Sequence, residues 1–533
     1  MQKVTKSNQY TLAVDLGTSG PKVALISMKG DIVTSVVEST DLILKPGGGA
    51  EQDPDNWWSA IKKGIHRILA SGSVNKNQIV AVCCATQWSG TVPIGQNGQH
   101  LMNAIIWMDS RGAPYVRQLT AGWPELKGYG LWKALNWIYL TGGIPTHSGK
   151  DSIAHILYIN HHHPDIYEKT YKFLEPKDYI NFRLTGRFAA SYDSITLHWL
   201  TDNRNIHNIS YSKRLFDWTG LDKEKFPDLK QSIDILGPIL PEIADELGLS
   251  RETQIVMGSP DMQAAAVGSG AVSDFKPHLY VGTSSWLTCH VPYKKTDIVH
   301  NMASLPSSIP GKYFIAAEQE TAGACINFLK DHLLFPDDAF NNQQCVPDNF
   351  YELLTQTAQS IDPLDQHVIF TPWLYGERTP FDDHQLRAGF YNISLHTKRS
   401  HLIRAILEGV AFNARSLLDG IESFTKKIMD NIHMIGGGAM SDLWCQIHAN
   451  ILNRTIKQVK DPVQANARGA GFLGAVALKE LDWNDIADCI HIQRIFTPES
   501  MYRNHYDQMF KEFINIYTNN RKMYHRLNPS EPQ

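Results

Sequence analysis

The residues in this chain best suited to chemistry begin in Tyr10–Ser27, where an apolar run ends in Asp15 and a turn of small residues precedes a second apolar run. This pattern predicts a β-hairpin. At its tip, Gly17 lets the backbone approach a ligand closely, and the hydroxyls and amides of Thr18 and Ser19 can hold phosphate oxygens. Asp15 is placed to hold a magnesium ion, directly or through water. An ordinary tight turn beside an acid is the alternative interpretation.

A second cluster of the same kind lies far downstream at residues 278–288, HLYVGTSSWLT. It predicts a strand, a tip formed by Gly282, Thr283 and Ser284, and a returning strand. Two such hairpins, one in each half of a long chain, favour a duplicated fold that closes on a nucleotide from both sides.

A third candidate is the acid in residues 258–262, GSPDM, which follow a predicted strand at 254–257. The stretch 263–270 is rich in alanine and glycine and is predicted to be a helix. Asp261 is therefore expected at or near a helix N-terminus, beside a ligand crevice. Helix capping and catalysis are compatible roles for its carboxylate, and both remain open from the sequence.

Two loops carry the groups that a polyhydroxylated small molecule needs: flat apolar walls, a hydroxyl, a carboxylate and a guanidinium. The first is TQWSG at 86–90, after a buried strand predicted at 78–85, and the second is WMDSR at 107–111. The alternative is that the tryptophans pack as core and that an Asp/Arg pair forms a surface bridge. The candidate ligand-binding side chains are Gln87, Trp88, Ser89, Trp107 and Asp109.

The elements that must position these groups alternate between strands and helices, which predicts an α/β architecture with a largely parallel or mixed sheet. Asp53-Pro54 predicts a helix start, because apolar residues follow it with helical spacing. Residues 151–193 are predicted to be helical. Within them, HHH at 161–163 is predicted to be a helix terminus rather than a metal site, since consecutive helical side chains point in different directions.

In the second half, a strand predicted at 432–435 runs into GGGA at 436–439, with a helix beginning near 441–442. Gly437 and Gly438 at that strand-to-helix turn allow a flat or phosphorylated ligand to come close.

Two further helices and a tail complete the second half. Residues 401–420 predict an amphipathic helix, and 467–477 predict a small-residue helix suited to close packing against a sheet. The tail from residue 482 onwards is predicted to be a peripheral helix followed by disorder.

With 533 residues, the chain exceeds what one hydrophobic core usually serves, so two domains are expected. A net charge of −4 provides no basic field for nucleic acid or an anionic membrane. The first residues have the character of neither a signal peptide nor a membrane anchor. Seven scattered cysteines without a C-x-x-C pair predict free thiols in a reducing cytoplasm, with zinc or disulfides as the alternative.

Together these motifs resemble those of the FGGY carbohydrate kinase family, within the larger group of actin-like and Hsp70-like ATPase folds. Xylulokinases are the most similar members, and the resemblance covers residues 10–481. The motifs occur in the family's order: DLGTSG at 15–20, EQDP at 51–54, QWSG at 87–90, WMDSR at 107–111, GSPD at 258–261, GTSS at 282–285, GERTP at 376–380 and GGGA at 436–439.

The resemblance implies two actin-like, ribonuclease H-like ATPase domains at 1–272 and 273–481, with a nucleotide cleft between them and a peripheral helical tail at 482–533. It implies transfer of the γ-phosphoryl group of ATP to a hydroxyl of a small-molecule sugar or polyol, with Mg²⁺. A homodimer is the frequent assembly of related kinases.

The resemblance also implies a role for each candidate residue. Asp261 is expected to accept the hydroxyl proton as an ionised carboxylate with an ordinary pKa of about 3.9, and Asp15 is expected to position Mg²⁺. The expected ATP-binding residues are Gly17, Thr18, Ser19, Gly282, Thr283, Ser284, Gly437, Gly438 and Asp442. The expected sugar-binding residues are Gln87, Trp88, Ser89, Trp107, Asp109 and Met262.

The departures from the xylulokinase pattern concern mainly the sugar. Trp88 and Ser89 stand where Met-His is usual, Met262 stands where Asn is usual, and His155 and Tyr158 stand at two positions of the family's first signature. The nucleotide motifs are nearly intact, so the reaction is expected to be kept and the substrate to differ. The sequence leaves open a pentulose, a hexulose, a polyol, a deoxy sugar and a sugar acid. A regulatory, non-catalytic nucleotide-binding protein on the same fold is the alternative function.

Overall fold

The computed structural model describes residues 9–298, 302–339, 345–381 and 383–529. The strands of its first half are β1 Tyr10–Gly17, β2 Gly20–Ser27, β3 Ile32–Val37, β4 Ile43–Lys45, β5 Gly49–Gln52, β6 Ile79–Thr86, β7 Val92–Ile94, β8 Ala104–Ile105, β9 Glu125–Leu126, β10 Tyr129–Gly130, β11 Lys172–Leu174, β12 Ala189–Ser191, β13 Thr201–Asp202, β14 Ser210–Tyr211, β15 Asp228–Lys230, β16 Ile235–Pro238 and β17 Gln254–Pro260. The helices of this half are α1 Pro54–Ala70, α2 Ala113–Thr120, α3 Leu131–Thr141, α4 Ser152–His162, α5 Pro164–Lys169, α6 Pro176–Thr185, α7 Lys213–Thr219, α8 Pro241–Leu247 and α9 Asp261–Gly268.

The second half is built in the same way. Its strands are β18 Pro277–Val281, β19 Ser285–Val291, β20 Thr296–Asp297, β21 Met302–Pro306, β22 Tyr313–Ala316, β23 Glu318–Gln319, β24 Ile369–Thr371, β25 Gly389–Tyr391, β26 Ile432–Ile435, β27 Ile456–Val459 and β28 Ile492–Phe496. Its helices are α10 Gly323–Phe328, α11 Phe350–Gln359, α12 Arg399–Thr425, α13 Asp442–Leu452, α14 Ala465–Ala477 and α15 Arg503–Leu527.

The first large sheet has the strand order β16-β17-β6-β1-β2-β3 and contains the first predicted hairpin. Its central strands β17, β6 and β1 are parallel, and their register places Asp15 and Ser259 on either side of Ala85. Three strands therefore end at one edge of the sheet. That edge carries Asp15, the 86–90 loop and Asp261.

The second large sheet repeats this arrangement with the order β20-β21-β22-β19-β18-β26-β27-β28, and β23 also pairs with β19. The second predicted hairpin, β18 and β19, is confirmed. β26 runs parallel to β18 with Ile435 beside Tyr280, so residues 282–284 and 436–439 lie at the same edge. The expected duplication of hairpin and sheet is therefore present.

Helices α9 and α14 pack against each other and join the two halves. A Cβ on Gly268 would lie 1.8 Å from the carbonyl oxygen of Ala465, and a Cβ on Gly469 would lie 1.9 Å from that of Ala264. Only glycine permits this backbone contact. α14 also covers the first sheet, where Leu473 belongs to the same buried cluster as strand residues of β1, β2, β6 and β17.

Several local predictions are confirmed. Asp53 caps α1 by accepting from the backbone N–H of Asp55, and all seven cysteines are free. The histidine run ends α4 as predicted, and Nδ1 of His161 is hydrogen-bonded to the carbonyl of Leu157. The predicted helical stretch 151–193 is interrupted by β11 and β12. No helix within the described residues is both long and apolar enough to cross a lipid bilayer.

The prediction of a peripheral tail needs correction. β28 is the edge strand beside β27 in the second sheet, and Tyr506 and Phe513 of α15 are fully buried. The Tyr506 hydroxyl donates to Oε1 of Glu408 on α12 at 2.9 Å. The pairing and packing are non-local, so apolar spacing within the tail could not reveal them. Residues 530–533, where disorder was predicted, lie outside the described residues.

Replacement of Phe513 by alanine should lower the free energy of unfolding by about 3–5 kcal/mol, because its ring packs between Trp373 and Phe412 in the core. Urea unfolding measures this change. Leu527→Ala on the exposed end of the same helix is the matched control and should cost less than about 0.5 kcal/mol. Equal effects of the two substitutions would show that α15 is peripheral after all.

Candidate active site

Asp15 lies near the end of β1, is nearly buried, and contacts side chains of two other elements. Lys22 Nζ on β2 is 3.7 Å from its Oδ2, and Nδ2 of Asn466 on α14 donates to its Oδ1 at 3.4 Å. Burial raises the pKa of Asp15, while the Lys22 charge opposes that shift. A carboxylate with one distant cation and one long hydrogen bond retains acceptor capacity for a ligand.

The tip of the first hairpin is bonded to both candidate sugar loops. The Thr18 hydroxyl donates to Oε1 of Gln87 at 3.2 Å and accepts from Nε1 of Trp107 at 2.9 Å. Gln52, from the EQDP motif, donates to the Thr18 carbonyl and accepts from Gln87 Nε2, both at 2.8 Å. The side chain of Thr18 thus holds the tip against the loops. Ser19 remains exposed at the tip.

The tip of the second hairpin is fixed by a helix N-terminus. The backbone N–H of Gly323 donates to the Gly282 carbonyl at 2.8 Å, and those of Ala322 and Ala324 donate to the Thr283 carbonyl at 2.9 and 3.1 Å. These bonds satisfy donors at the start of α10 that have no partner within the helix. The side chain of Thr283 stays exposed. Ser284, the third residue of this tip, is half-buried.

Asp261 is the first residue of α9 and directly follows β17. Its Oδ1 accepts the backbone N–H of Met262 at 2.7 Å. The pKa of Asp261 is raised to about 7, chiefly by burial and in smaller part by the charges of Asp15 and Glu318, while the Met262 hydrogen bond opposes the shift. The expected ordinary pKa is therefore wrong for the ligand-free chain, because sequence spacing reveals neither the burial of the carboxyl group nor the acids that distant parts of the chain bring beside it.

The donor chemistry around Asp15 and Asp261 fits a magnesium ion. Both side chains offer carboxylate oxygens, which Mg²⁺ prefers. Burial disfavours ionisation of Asp261 most, and the charge of Asp15 adds to that effect. A bound divalent cation would relieve the repulsion between the two carboxylates and favour the ionised forms.

The two residues of loop 86–90 that depart from the xylulokinase pattern both donate a hydrogen bond to a backbone carbonyl. Trp88 is buried in an apolar cluster of the first half, and its Nε1 donates to the carbonyl of Ser194 at 3.1 Å. Ser89 has a left-handed backbone, φ 61°, and its hydroxyl donates to the Lys150 carbonyl at 2.6 Å. Stacking of Trp88 on a sugar and hydrogen bonding of Ser89 to a sugar stay predictions.

Asp109 and Arg111 form a buried pair, not the surface bridge left open by the sequence. Arg111 Nη2 is 2.7 Å from Asp109 Oδ2 and 2.8 Å from Glu51 Oε1. Asp109 Oδ2 also accepts the backbone N–H of Ala50 at 2.8 Å. Arg111 lies over the ring of Tyr158, one of the positions that departs from the family signature. The Asp109 carboxylate is thus oriented by the protein before any ligand binds.

The remaining expected residues differ in accessibility. Met262 is buried in an apolar cluster that also contains Trp286. Gly437 is exposed and a Cβ there would meet no atom within 4 Å, whereas a Cβ on Gly438 would lie 2.6 Å from Cγ1 of Val281. The carboxylate of Asp442 forms an ion pair with Arg494. Gly437 is consequently the most accessible of the three positions expected to bind adenosine.

Sequence reasoning missed a group of charged residues around the cleft. Lys150, Glu318, Glu320 and Arg378 interact with one another through ion pairs and through-space charge effects. Of these four residues, only Arg378 belongs to one of the motifs that carry the family resemblance, GERTP at 376–380, and no role was predicted for that motif. The pairing of residues so far apart in sequence gives no local signal.

Comparison with known proteins identifies the family of this chain. The family model described as the N-terminal domain of the FGGY family of carbohydrate kinases matches residues 10–268, and the model of the C-terminal domain matches residues 279–478. A xylulose kinase of Staphylococcus epidermidis is 28% identical, with 97% of this chain and 98% of that protein covered.

Solved structures share the fold. A gluconate kinase from Lactobacillus acidophilus superimposes with a TM-score of 0.84 at 24% identity and covers 97% of this chain and 99% of its own. A ligand-bound xylulose kinase from the same organism has a TM-score of 0.84 at 24% identity, covering 97% and 100%. The predicted two-domain, actin-like ATPase fold is thereby confirmed.

Replacement of Asp261 by asparagine should stabilise the magnesium-free protein in a pH-dependent way. The folded-state pKa of about 7 exceeds the unfolded value of about 3.9, so ionisation of Asp261 destabilises the fold increasingly as pH rises between these values. The free energy of unfolding should exceed that of the wild type by about 1–2 kcal/mol near pH 8 and by less near pH 5.

Urea unfolding at both pH values measures the difference. Asp488→Asn, at an exposed carboxylate, is the control and should show no such gain. A gain for Asp261→Asn that is independent of pH would contradict the raised pKa.

Proposed function

This chain belongs to the FGGY family of carbohydrate kinases, and from that premise we propose that it transfers the γ-phosphoryl group of ATP to a hydroxyl of a ketose or polyol. The observation that carries the proposal is the pair Asp15 and Asp261. They lie at one edge of the first sheet, close enough for the charge of Asp15 to raise the pKa of Asp261. Phosphoryl transfer requires a metal-binding acid and a proton acceptor in such proximity.

In this mechanism Asp261 is the base. As the substrate oxygen bonds to phosphorus, its hydroxyl proton moves to the free oxygen of the Asp261 carboxylate, while Oδ1 stays bonded to the Met262 amide. Because the transition state is loose, a late proton acceptor suffices and alignment matters most. Asp15 would hold Mg²⁺, which neutralises charge on the phosphate oxygens when bound.

The two hairpin tips would bind the phosphates from opposite sides. Backbone amides near Gly17 and Ser19 would serve on the first sheet, and the exposed Thr283 with Ser284 on the second. Gly437 would admit the adenosine. The Thr18 hydroxyl donates to Gln87 and accepts from Trp107, and these two hydrogen bonds would make phosphate binding at the first tip sensitive to the conformation of the sugar loops.

For the substrate we propose a small polyhydroxylated molecule of the xylulose type, bound near loops 86–90 and 107–111. Relatives named xylulose kinase and gluconokinase support this range. The carboxylates Asp109, Glu318 and Asp261 favour neutral hydroxyl groups over a sugar acid, because they would repel a further carboxylate in the cleft. D-Xylulose is therefore preferred over D-gluconate.

ATP consumption with Mg²⁺ against ketoses, alditols, deoxy sugars and sugar acids tests the proposal. Turnover of one neutral compound well above the sugar-free background is the expected result. A preference for D-gluconate would overturn the assigned substrate class. Tight ATP binding with no turnover on any compound would favour a regulatory nucleotide-binding protein.

Asp261→Asn should lower kcat by at least about 10³-fold, because the amide cannot accept the proton, while the affinity for MgATP stays within a few-fold of the wild type. Steady-state kinetics and calorimetric nucleotide titration measure the two effects. Asn466→Ala, beside Asp15 but without a proposed role in proton transfer, is a comparison variant that should retain far more turnover. Retention of most activity by Asp261→Asn would disprove the assignment of the base.

A further inference from the structure

An ion pair connects the two halves of the chain beside loop 86–90. Nζ of Lys150, in the first half, lies 3.6 Å from Oε1 of Glu320 in the second. Arg378 Nε donates to the same Glu320 oxygen at 2.7 Å and the Arg378 guanidinium also pairs with Glu318. Glu320 is nearly buried and Lys150 is largely so, which makes the loss of either partner costlier than at an exposed pair.

On the first-half side, Lys150 cannot move independently of loop 86–90. Its carbonyl accepts the Ser89 hydroxyl at 2.6 Å. The next residue, Asp151, is buried and its Oδ2 accepts from the backbone N–H of Thr146 at 2.7 Å and from Nε1 of Trp199 at 2.9 Å. A shift of Ser89 therefore moves the Lys150 backbone while Asp151 anchors the neighbouring chain.

On the second-half side, Glu320 and Arg378 are held by one buried carboxylate. Oε1 of Glu377 accepts the backbone N–H groups of Glu320 and Arg378 at 3.1 and 2.9 Å. Its Oε2 accepts from Nδ2 of Asn413 on α12. Glu320, the partner of Lys150, and Arg378, the partner of Glu320, are thus fixed to the core of the second half, so the ion pair of Lys150 with Glu320 depends on how the two halves lie relative to each other.

We propose that Lys150 and Glu320 are positioning residues that couple occupancy of the sugar loop to closure of the second half over ATP. The inference rests on the proposed kinase function. Neither side chain needs to touch the reacting atoms, because Ser89 transmits the position of the loop to Lys150 and Glu377 transmits that of Glu320 to α12. Arg378 pairs with Glu318 and Glu320, and against the effect of burial its charge lowers the pKa of Glu320, the carboxylate that Lys150 faces.

A double-mutant cycle with Lys150→Met and Glu320→Gln tests the coupling. The measured quantity is the factor by which the best-used sugar of the panel, D-xylulose included, tightens binding of a non-hydrolysable ATP analogue with Mg²⁺. Each single variant should reduce this factor by about 5- to 10-fold, and the double variant should reduce it no further. Affinity for the analogue without sugar should be unchanged, and Lys150→Arg should retain most of the coupling.

The ion pair between Lys62 and Glu246, 2.7 Å apart and confined to the first half, is the matched control. Lys62→Met and Glu246→Gln should leave the coupling factor unchanged. Additive effects of Lys150→Met and Glu320→Gln, or equal loss of analogue affinity with and without sugar, would overturn the proposal, because a merely structural pair would produce them.

A ligand-free measurement separates this proposal from the proposed function. In Glu320→Gln, amide hydrogen exchange at Gln87 and Gly90 should be several-fold faster than in the wild type, although the substitution lies in the other half of the chain. Glu246→Gln should leave it unchanged. Unaltered exchange in Glu320→Gln would refute the coupling, whereas a wild type that phosphorylates no compound of the panel would refute only the kinase function.

Discussion

The contact between α9 and α14 is the constraint on which the geometry of the cleft depends. Two glycines, Gly268 and Gly469, bring the helix backbones together, and each faces a carbonyl oxygen of the other helix. α9 begins at Asp261, and the second residue of α14, Asn466, reaches Asp15. A side chain at either glycine would separate the helices and with them the two acids.

The same contact concentrates charge that the fold must accommodate. Burial raises the pKa of Asp15, Asp261 and Glu318, and the charges of Asp15 and Glu318 raise that of Asp261 as well. Lys22 opposes the shift at Asp15, and Arg378 and Lys150 oppose the shift at Glu318. An arrangement of this kind lowers the stability of the free protein and strengthens binding of a cation-bearing ligand. Around these charges, the sheets are filled with apolar side chains.

Features encoded locally could be predicted from the sequence, and features made by distant residues could not. Both hairpins, the Asp53 cap and the start of α13 follow from residue types within a few positions. The pairing of β28 with β27, the burial of Asp109 against Arg111 and the raised pKa of Asp261 depend on partners that only the folded chain brings together. Trp88 illustrates the limit, because its type was compatible both with an apolar wall for a ligand and with a place in the core, and only the folded chain shows that the ring is buried in an apolar cluster.

The position of α14 determines when, during synthesis on the ribosome, the first half can complete its hydrophobic core. One face of the first sheet, including Ala13 and Val256, is covered by Ala467, Ala470 and Leu473 of α14. Some two hundred residues separate β17 from that helix, so the part of this face that α14 covers stays open while β18 to β27 of the second sheet are synthesised. The first half can form its hairpin and strands early, but it acquires its final core only when α14 emerges. Nascent chains therefore expose an apolar surface that a chaperone can bind throughout this interval.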